Sequence, residues 1–430
     1  MDAALVAFVV LFGLLVVGVP IGYAMGLVGT LAFASVVGWQ GALNQVGNLV
    51  ADTALNYNLS VLPLFVLMGS LFARAGMADE MYAAAYGFLG ARRGGLAMAT
   101  ILACGAFSAV SGSALACAAT MTKVSVPVMR KYGYAPGFAA ATVAVGSTLD
   151  ILIPPSIAMV VYALISDVSL GKIMVAGILP GVLAVVLLIA TIALITAIRP
   201  ELGPAGGPTS WRQRLRLLRA VWPIMALFTI VLGGIYIGVF SANEAAGVGA
   251  FGSLALAISR RSLSPAGFID ALVDAARVSS MLFVVLFGSL ILANFVTVSG
   301  ATAAFSAWIN SFALAQFELI MLLLALYVLL GFILEGMAVM LLTVPILLPV
   351  VIAAGIDPIW FGIFVIIVSG AGLIHPPLGL LLFVVKSMLP DVPMKQVVWG
   401  VLPYLGTELV LIALLIAFPG IVMVLPRLMP

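Results

Sequence analysis

Ile151-Leu152-Ile153-Pro154-Pro155-Ser156 sets two consecutive prolines inside an apolar run, and Gly372-Leu373-Ile374-His375-Pro376-Pro377 repeats the pattern 222 residues later. Each proline lacks an N–H and blocks the carbonyl of residue i−4 from an ordinary helical bond, so two in a row break a helix. At the same shift Pro127 meets Pro349, Gly133 meets Gly355 and Pro136 meets Pro358. With proline near 5% of residues, four proline coincidences at one fixed shift come to about 10⁻⁵, or about 10⁻³ once a few hundred shifts are allowed. With one inserted residue Leu179-Pro180 also meets Leu402-Pro403. The chain therefore reads as an internal duplication with a broken helix in each half.

The medium around those helices follows from composition. Of 430 residues, 64% are hydrophobic and 8% charged, against about 25% charged in soluble proteins. Apolar stretches long enough to cross about 30 Å of hydrocarbon recur along the whole chain. Residues 1–19 lack a basic start and a small-residue cleavage site and read as a retained first helix rather than a signal peptide. The net charge of +3 forms no basic stripe with aromatics, so nucleic-acid binding is not expected. Cys104 and Cys117 lie in apolar segments and read as small packing residues. One histidine and two cysteines leave little material for an enzyme's nucleophile and base or for a metal cluster.

The predicted fold is an all-α integral membrane protein of two inverted-topology repeats, each of about five spans plus a re-entrant helical hairpin. Residues 1–198 form the first repeat, with a hairpin over 94–129 and a broken helix over 135–166. Residues 220–430 form the second, with a hairpin over 318–351 and a broken helix over 358–388. Five spans per half is an odd number, which gives the halves opposite topology. The 199–219 linker, rich in proline and glycine, ends in Trp211-Arg212-Gln213-Arg214-Leu215-Arg216-Leu217-Leu218-Arg219. It reads as a short amphipathic helix on anionic lipid at the cytoplasmic face. Gly18, Gly22 and Gly26 make a small-xxx-small ridge, read as close packing within the chain.

The breaks carry the chemistry. Irregular backbone at membrane depth is tolerated only where protein buries it or it lines a cavity. Carbonyls freed ahead of Pro154-Pro155 and Pro376-Pro377 suit a cation, while half-helix N-termini at Ser156 and Leu378 suit an anionic group.

Together with Phe107-Ser108-Ala109-Val110-Ser111-Gly112-Ser113-Ala114, the run from Val126 to Ala140, Thr343-Val344-Pro345-Ile346-Leu347-Leu348-Pro349 and Gly355-Ile356-Asp357-Pro358, these motifs resemble the large membrane subunit of tripartite ATP-independent periplasmic (TRAP) transporters, over essentially the full length. The resemblance implies an elevator-type motion, a sodium gradient as driving force, and an inner-membrane location in a bacterium or archaeon. It implies two protein partners, a small four-helix membrane subunit and a periplasmic substrate-binding protein, and an organic anion as substrate. It implies no cofactor beyond coupling sodium ions. Carried onto this chain, one sodium site uses Ser108, Ser111, Gly112 and Ser113 with carbonyls around Gly146, Thr148 and Ile151. The other uses the tip from Gly331 through Glu335 to Gly336 with carbonyls around Gly370 and Gly372.

The chain departs from the family pattern at Glu335, where Asp is common, at Asp150, where Gly is common, and at His375, where Thr is usual. Asp150, Glu335 and His375 are therefore candidates for substrate contact or coupling, with Ser156 joining them as a half-helix N-terminus; His375 could carry a proton. The structural alternatives are a capping carboxylate at Glu335, a backbone partner for Asp150 and an imidazole bonded to a freed carbonyl at His375. A stand-alone sodium- or proton-coupled dicarboxylate-type carrier without a binding protein remains the competing functional class.

Overall fold

The computed structural model describes residues 2–312, 314–332, 334–376 and 379–429, and every regular element among them is a helix. Six of these helices are long and apolar enough to cross a membrane.

Both double-proline points interrupt the helix that carries them. In the first half Pro136–Ser147 opens on its proline, where the missing N–H has no helical partner to lose. It tightens into a 3₁₀ turn at Thr148–Ile151, and helix resumes only at Ile157–Ser166. The Pro154–Pro155 peptide is cis. In the second half Asp357 caps Pro358–Ala371 by accepting from the Ile359 and Trp360 amides, and helix resumes at Leu380–Met388. Pro377, and with it the expected half-helix start at Leu378, lies outside the described residues.

Each break is flanked by a helical hairpin. Gly95–Ser111 and Ala114–Lys131 are joined through Gly112, whose φ of +58° favours a residue without Cβ. Gln316–Gly331 and Gly336–Ala353 form the other pair. Both hairpins pack on the broken segment of their own half. The second arm of the first hairpin also packs on Leu380–Met388, and the second arm of the other packs on Ile157–Ser166. The exchange is reciprocal: each half completes the surroundings of the other half's break.

A frame of longer helices surrounds this centre. Ile21–Val37 lies against Pro265–Val298 so closely that a Cβ on Gly22 would stand 2.8 Å from the Val285 Cα, and one on Gly288 would stand 2.2 Å from the Gly22 carbonyl oxygen. Small residues thus let two backbones touch, the expected use of the ridge. Its members are Gly22, Gly26 and Gly29; Gly18 lies before the helix in open space. Val61–Arg74 packs on Ala242–Ser259 and on Pro265–Val298, and its Gly69 abuts the backbone of Ser111 at the first hairpin's tip.

Several boundaries differ from the sequence reading. The arginine run is no separate surface helix: Trp211–Tyr236 is one helix of 26 residues, about 39 Å long. Its first turns rest on Met77–Leu89. There the Arg214 guanidinium stacks over Phe88 and Trp211, at 5.7 and 4.9 Å from the ring centres. Protein therefore supplies part of the surface assigned to lipid. Hydropathy of the sequence marks a span over 278–298, whereas the helix that carries it begins at Pro265, where Arg74 pairs with Asp270 and Asp274 along its charged first turns. The last span divides at Phe418-Pro419 into Met394–Ala417 and Gly420–Leu428. Trp39–Ala54 and Ala301–Ser311 are further helices that hydropathy did not mark.

The basic loops gather at one end. Arg130 pairs with Asp391 at 2.9 Å. The Gly94 amide donates to the Gly203 carbonyl at 2.8 Å, and the Ala135 amide to Leu202 at 3.1 Å. Arg260 reaches Glu80 and the Ala220 carbonyl. Linker, hairpin base and helix ends thus contact one another.

Candidate functional site

The two broken segments meet where both lose helical structure. A Cβ on Gly370 would fall 1.7 Å from the Ile151 Cδ1, so the Ile151 side chain occupies the space that glycine leaves. Tyr162 fixes the same approach from the other end, donating its hydroxyl to the Pro358 carbonyl at 2.5 Å.

At the first tip most polar groups are already paired. Ser111 Oγ donates to Asp150 Oδ1 at 3.0 Å, and Asp150 is only 3% exposed. Asp150 therefore ties the 3₁₀ turn to the hairpin, and the Ser113 amide supplies the backbone partner offered as its structural alternative. Ser113 caps Ala114–Lys131, its Oγ accepting from the Ala116 amide at 3.3 Å. Ser108 turns away, donating to the Cys117 sulfur at 3.6 Å. Gly146 packs against Cys104, and its carbonyl accepts from the Thr148 amide. Thr148 Oγ1 donates to Val145 at 2.7 Å, leaving its lone pairs free. Ser156 Oγ donates to the Ile151 carbonyl at 2.8 Å. One lone pair of a proposed sodium ligand is thereby engaged, and the hydroxyl does not face outward from a half-helix end.

The second tip is built from backbone and glycine. Gly331 and Gly372 face each other: a Cβ on Gly372 would lie 3.1 Å from the Gly331 carbonyl oxygen. A Cβ on Gly336 would lie 2.6 Å from the Ser369 carbonyl oxygen. Glu335 holds the position before Gly336–Ala353 but makes no capping hydrogen bond, and its side chain is exposed. His375 Nδ1 lies 2.7 Å from the Ala371 carbonyl oxygen, and its ring stands edge-on to Phe332 at 5.7 Å. Because a carbonyl only accepts, Nδ1 carries the proton in that contact. Pro376 lies in the turn that follows.

Two residues escaped the sequence reading. Ser369 is buried beside Gly336 with no partner for its hydroxyl. Its position was available from the repeat, since it stands 222 residues after Ser147, whose own hydroxyl bonds to Val143. Glu408 sits in the middle of Met394–Ala417, with its Oε2 sealed from solvent and unpartnered. An ionisable residue within a membrane span is itself the signal that should have marked it. Among the described residues no three His, Cys, Asp or Glu side chains come together as a metal cluster. Any cation site here uses hydroxyls and carbonyls with at most one or two carboxylates, a donor set suited to hard ions.

A family model described as tripartite ATP-independent periplasmic transporter, DctM component, matches residues 8–421. The chain belongs to the DctM family of TRAP large permeases. It is a multi-pass membrane protein of a transporter family, not an enzyme. Among relatives of this DctM-family chain, the C4-dicarboxylate TRAP transporter large permease protein DctM of Pseudomonas aeruginosa is 32% identical, covering 87% of this chain and 88% of that protein. The sialic acid TRAP transporter large permease protein SiaM of Vibrio cholerae is 30% identical, covering 97% and 96%. The crystal structure of the YdaH transporter of Alcanivorax borkumensis superposes with a TM-score of 0.66 at 16% identity, covering 89% of each chain. That likeness concerns fold alone.

Proposed function

We propose that this chain is the membrane subunit that carries an organic anion inward across the bacterial or archaeal inner membrane, driven by sodium. It receives the anion from a periplasmic binding protein and works with a small four-helix membrane subunit. The observation that carries the reading is the meeting of two broken segments at Ile151 and Gly370, each flanked by a hairpin tip. Half-helices and irregular backbone at one mid-membrane point supply carbonyls for a cation and amide-rich ends for an anion. Relatives named for C4-dicarboxylates and for sialic acid both handle carboxylates, which supports an anionic substrate. The reciprocal packing of hairpins and breaks supports two inverted repeats, and hairpins moving with the breaks against the outer frame would give an elevator stroke.

The test is uptake by proteoliposomes that hold this chain with the small subunit and are supplied with the binding protein and a panel of labelled carboxylates. The reading expects accumulation of at least one carboxylate under an inward sodium gradient, lost when choline replaces sodium or when the binding protein is omitted. Equal uptake without binding protein would replace it with the stand-alone carrier. Equal uptake in choline would remove sodium.

A further inference from the structure

Glu408 is a carboxyl group with no counterpart in the other half. In the register that aligns Leu179-Pro180 with Leu402-Pro403, its position falls on Val185, so packing of the repeat does not call for an acid there. Its side chain lines a cavity of about 30 Å³ together with Thr148, Ile151, Gly370, Ala371 and Thr407. A polar site needs about 10–15 Å³ of such volume for one water, so this one has room for a single dehydrated ion or a water or two. The cavity lies where the two broken segments meet, and the helix Ile178–Ile198 adds apolar side chains to its lining.

The lining contains no lysine, arginine or histidine. An ionised carboxylate whose Oε2 is shut off from solvent, with hydroxyl neighbours but no counter-charge, is strongly unfavourable. Oxygen ligands are at hand: the Thr148 hydroxyl has given its proton to Val145 and keeps its lone pairs. Thr407 has a different task. Its hydroxyl lies 2.6 Å from that of Thr191, which anchors Met394–Ala417 to the neighbouring helix and fixes where Glu408 points.

We propose that Glu408 is the anionic ligand of a further cation site between the two broken segments, sized for one sodium ion. The proposal rests on the sodium-coupled reading above and adds a site to it. A cation held there touches both halves at once, so its occupancy and the approach of Thr148 to Gly370 are linked.

The test uses the large subunit with its small subunit in nanodiscs and follows thermal unfolding as sodium chloride replaces choline chloride at constant ionic strength. The wild type should be stabilised by sodium. Glu408→Gln should raise the sodium concentration for half-maximal stabilisation at least tenfold, and Glu408→Asp, which keeps the charge, by only a few-fold. A Glu408→Gln midpoint equal to that of the wild type overturns the proposal. So does a variant that keeps the sodium midpoint and loses only the pH dependence of unfolding, which would make the bound cation a proton. If Glu408→Gln does not fold, Glu408→Asp decides: a shifted midpoint supports the site, and an unshifted one overturns it. A wild type indifferent to sodium would instead defeat sodium coupling itself, a failure visible before any variant is made.

Discussion

The two hairpin tips do the same structural job with opposite chemistry. At the first, side chains close the break: Ser111 holds Asp150, Ser156 holds the Ile151 carbonyl, and Ser113 caps its helix. At the second, glycines bring backbones together, and Ser369 is left with a hydroxyl that nothing accepts. The proline pairs thus fix where the breaks occur, while the residues around them decide which polar groups are spent on holding the fold. The first tip is tied from within. The second keeps unused capacity.

The largest effect expected from that contrast comes from filling a glycine. At Gly336 a methyl group would meet the Ser369 carbonyl at 2.6 Å, and rigid backbone cannot move aside as a side chain can. Gly336→Ala should lower stability by about 1–3 kcal/mol, the usual range for overpacking, and abolish uptake. Gly112→Ala meets only the Ile157 side chain, at 3.5 Å, and should cost roughly 1 kcal/mol through its left-handed backbone. Thermal unfolding of the two variants side by side checks the order; equal losses would show the tips to be closed alike.

Removing one hydroxyl from each tip should give opposite signs. Ser111→Ala leaves a buried Asp150 oxygen without its donor, a loss of about 1–3 kcal/mol, and should weaken the sodium dependence of uptake. Ser369→Ala removes a hydroxyl that has no partner and should leave stability in choline unchanged or slightly higher. If Ser369 is a cation ligand, the same variant loses part of the stabilisation that sodium confers. Unfolding curves in the two salts separate these outcomes; a Ser369→Ala protein as damaged in choline as Ser111→Ala would erase the contrast.

The smallest effect lies where the two halves touch at the basic end. The hydrogen bond from Arg130 holds the Asp391 carboxyl below the usual carboxylate range. A depressed carboxyl contributes stability that is present above its unfolded range and lost as pH falls through its folded value. The pair is exposed, so Asp391→Asn should cost little at neutral pH and nothing in acid below that value. A difference from wild type that grows as pH falls would contradict the pairing.

How much was legible follows from how local each signal is. Prolines and glycines act on their own backbone, so both breaks and both hairpins could be placed from Pro154-Pro155, Pro376-Pro377, the Ser108 to Ser113 cluster and the run from Gly331 to Gly336 without tertiary information. Partnerships between distant side chains carry no such mark: nothing around Ser111 names Asp150, and nothing around Ser156 says that its hydroxyl folds back on Ile151. The start of the Pro265 helix was missed because Asp270 and Asp274 look like loop residues until Arg74 neutralises them. Glu408 was passed over because a single acid within an apolar run makes no pattern, although its cost in that setting is itself evidence.

The account depends most on the two breaks facing one another and binding ions there. Maps of the complex by electron cryo-microscopy, recorded in sodium and in choline, address this directly. The expected result is helix interrupted at both proline pairs, Ile151 seated on Gly370, and density beside both tips that appears in sodium alone. Unbroken helix through either proline pair, or identical density in the two salts, would contradict it.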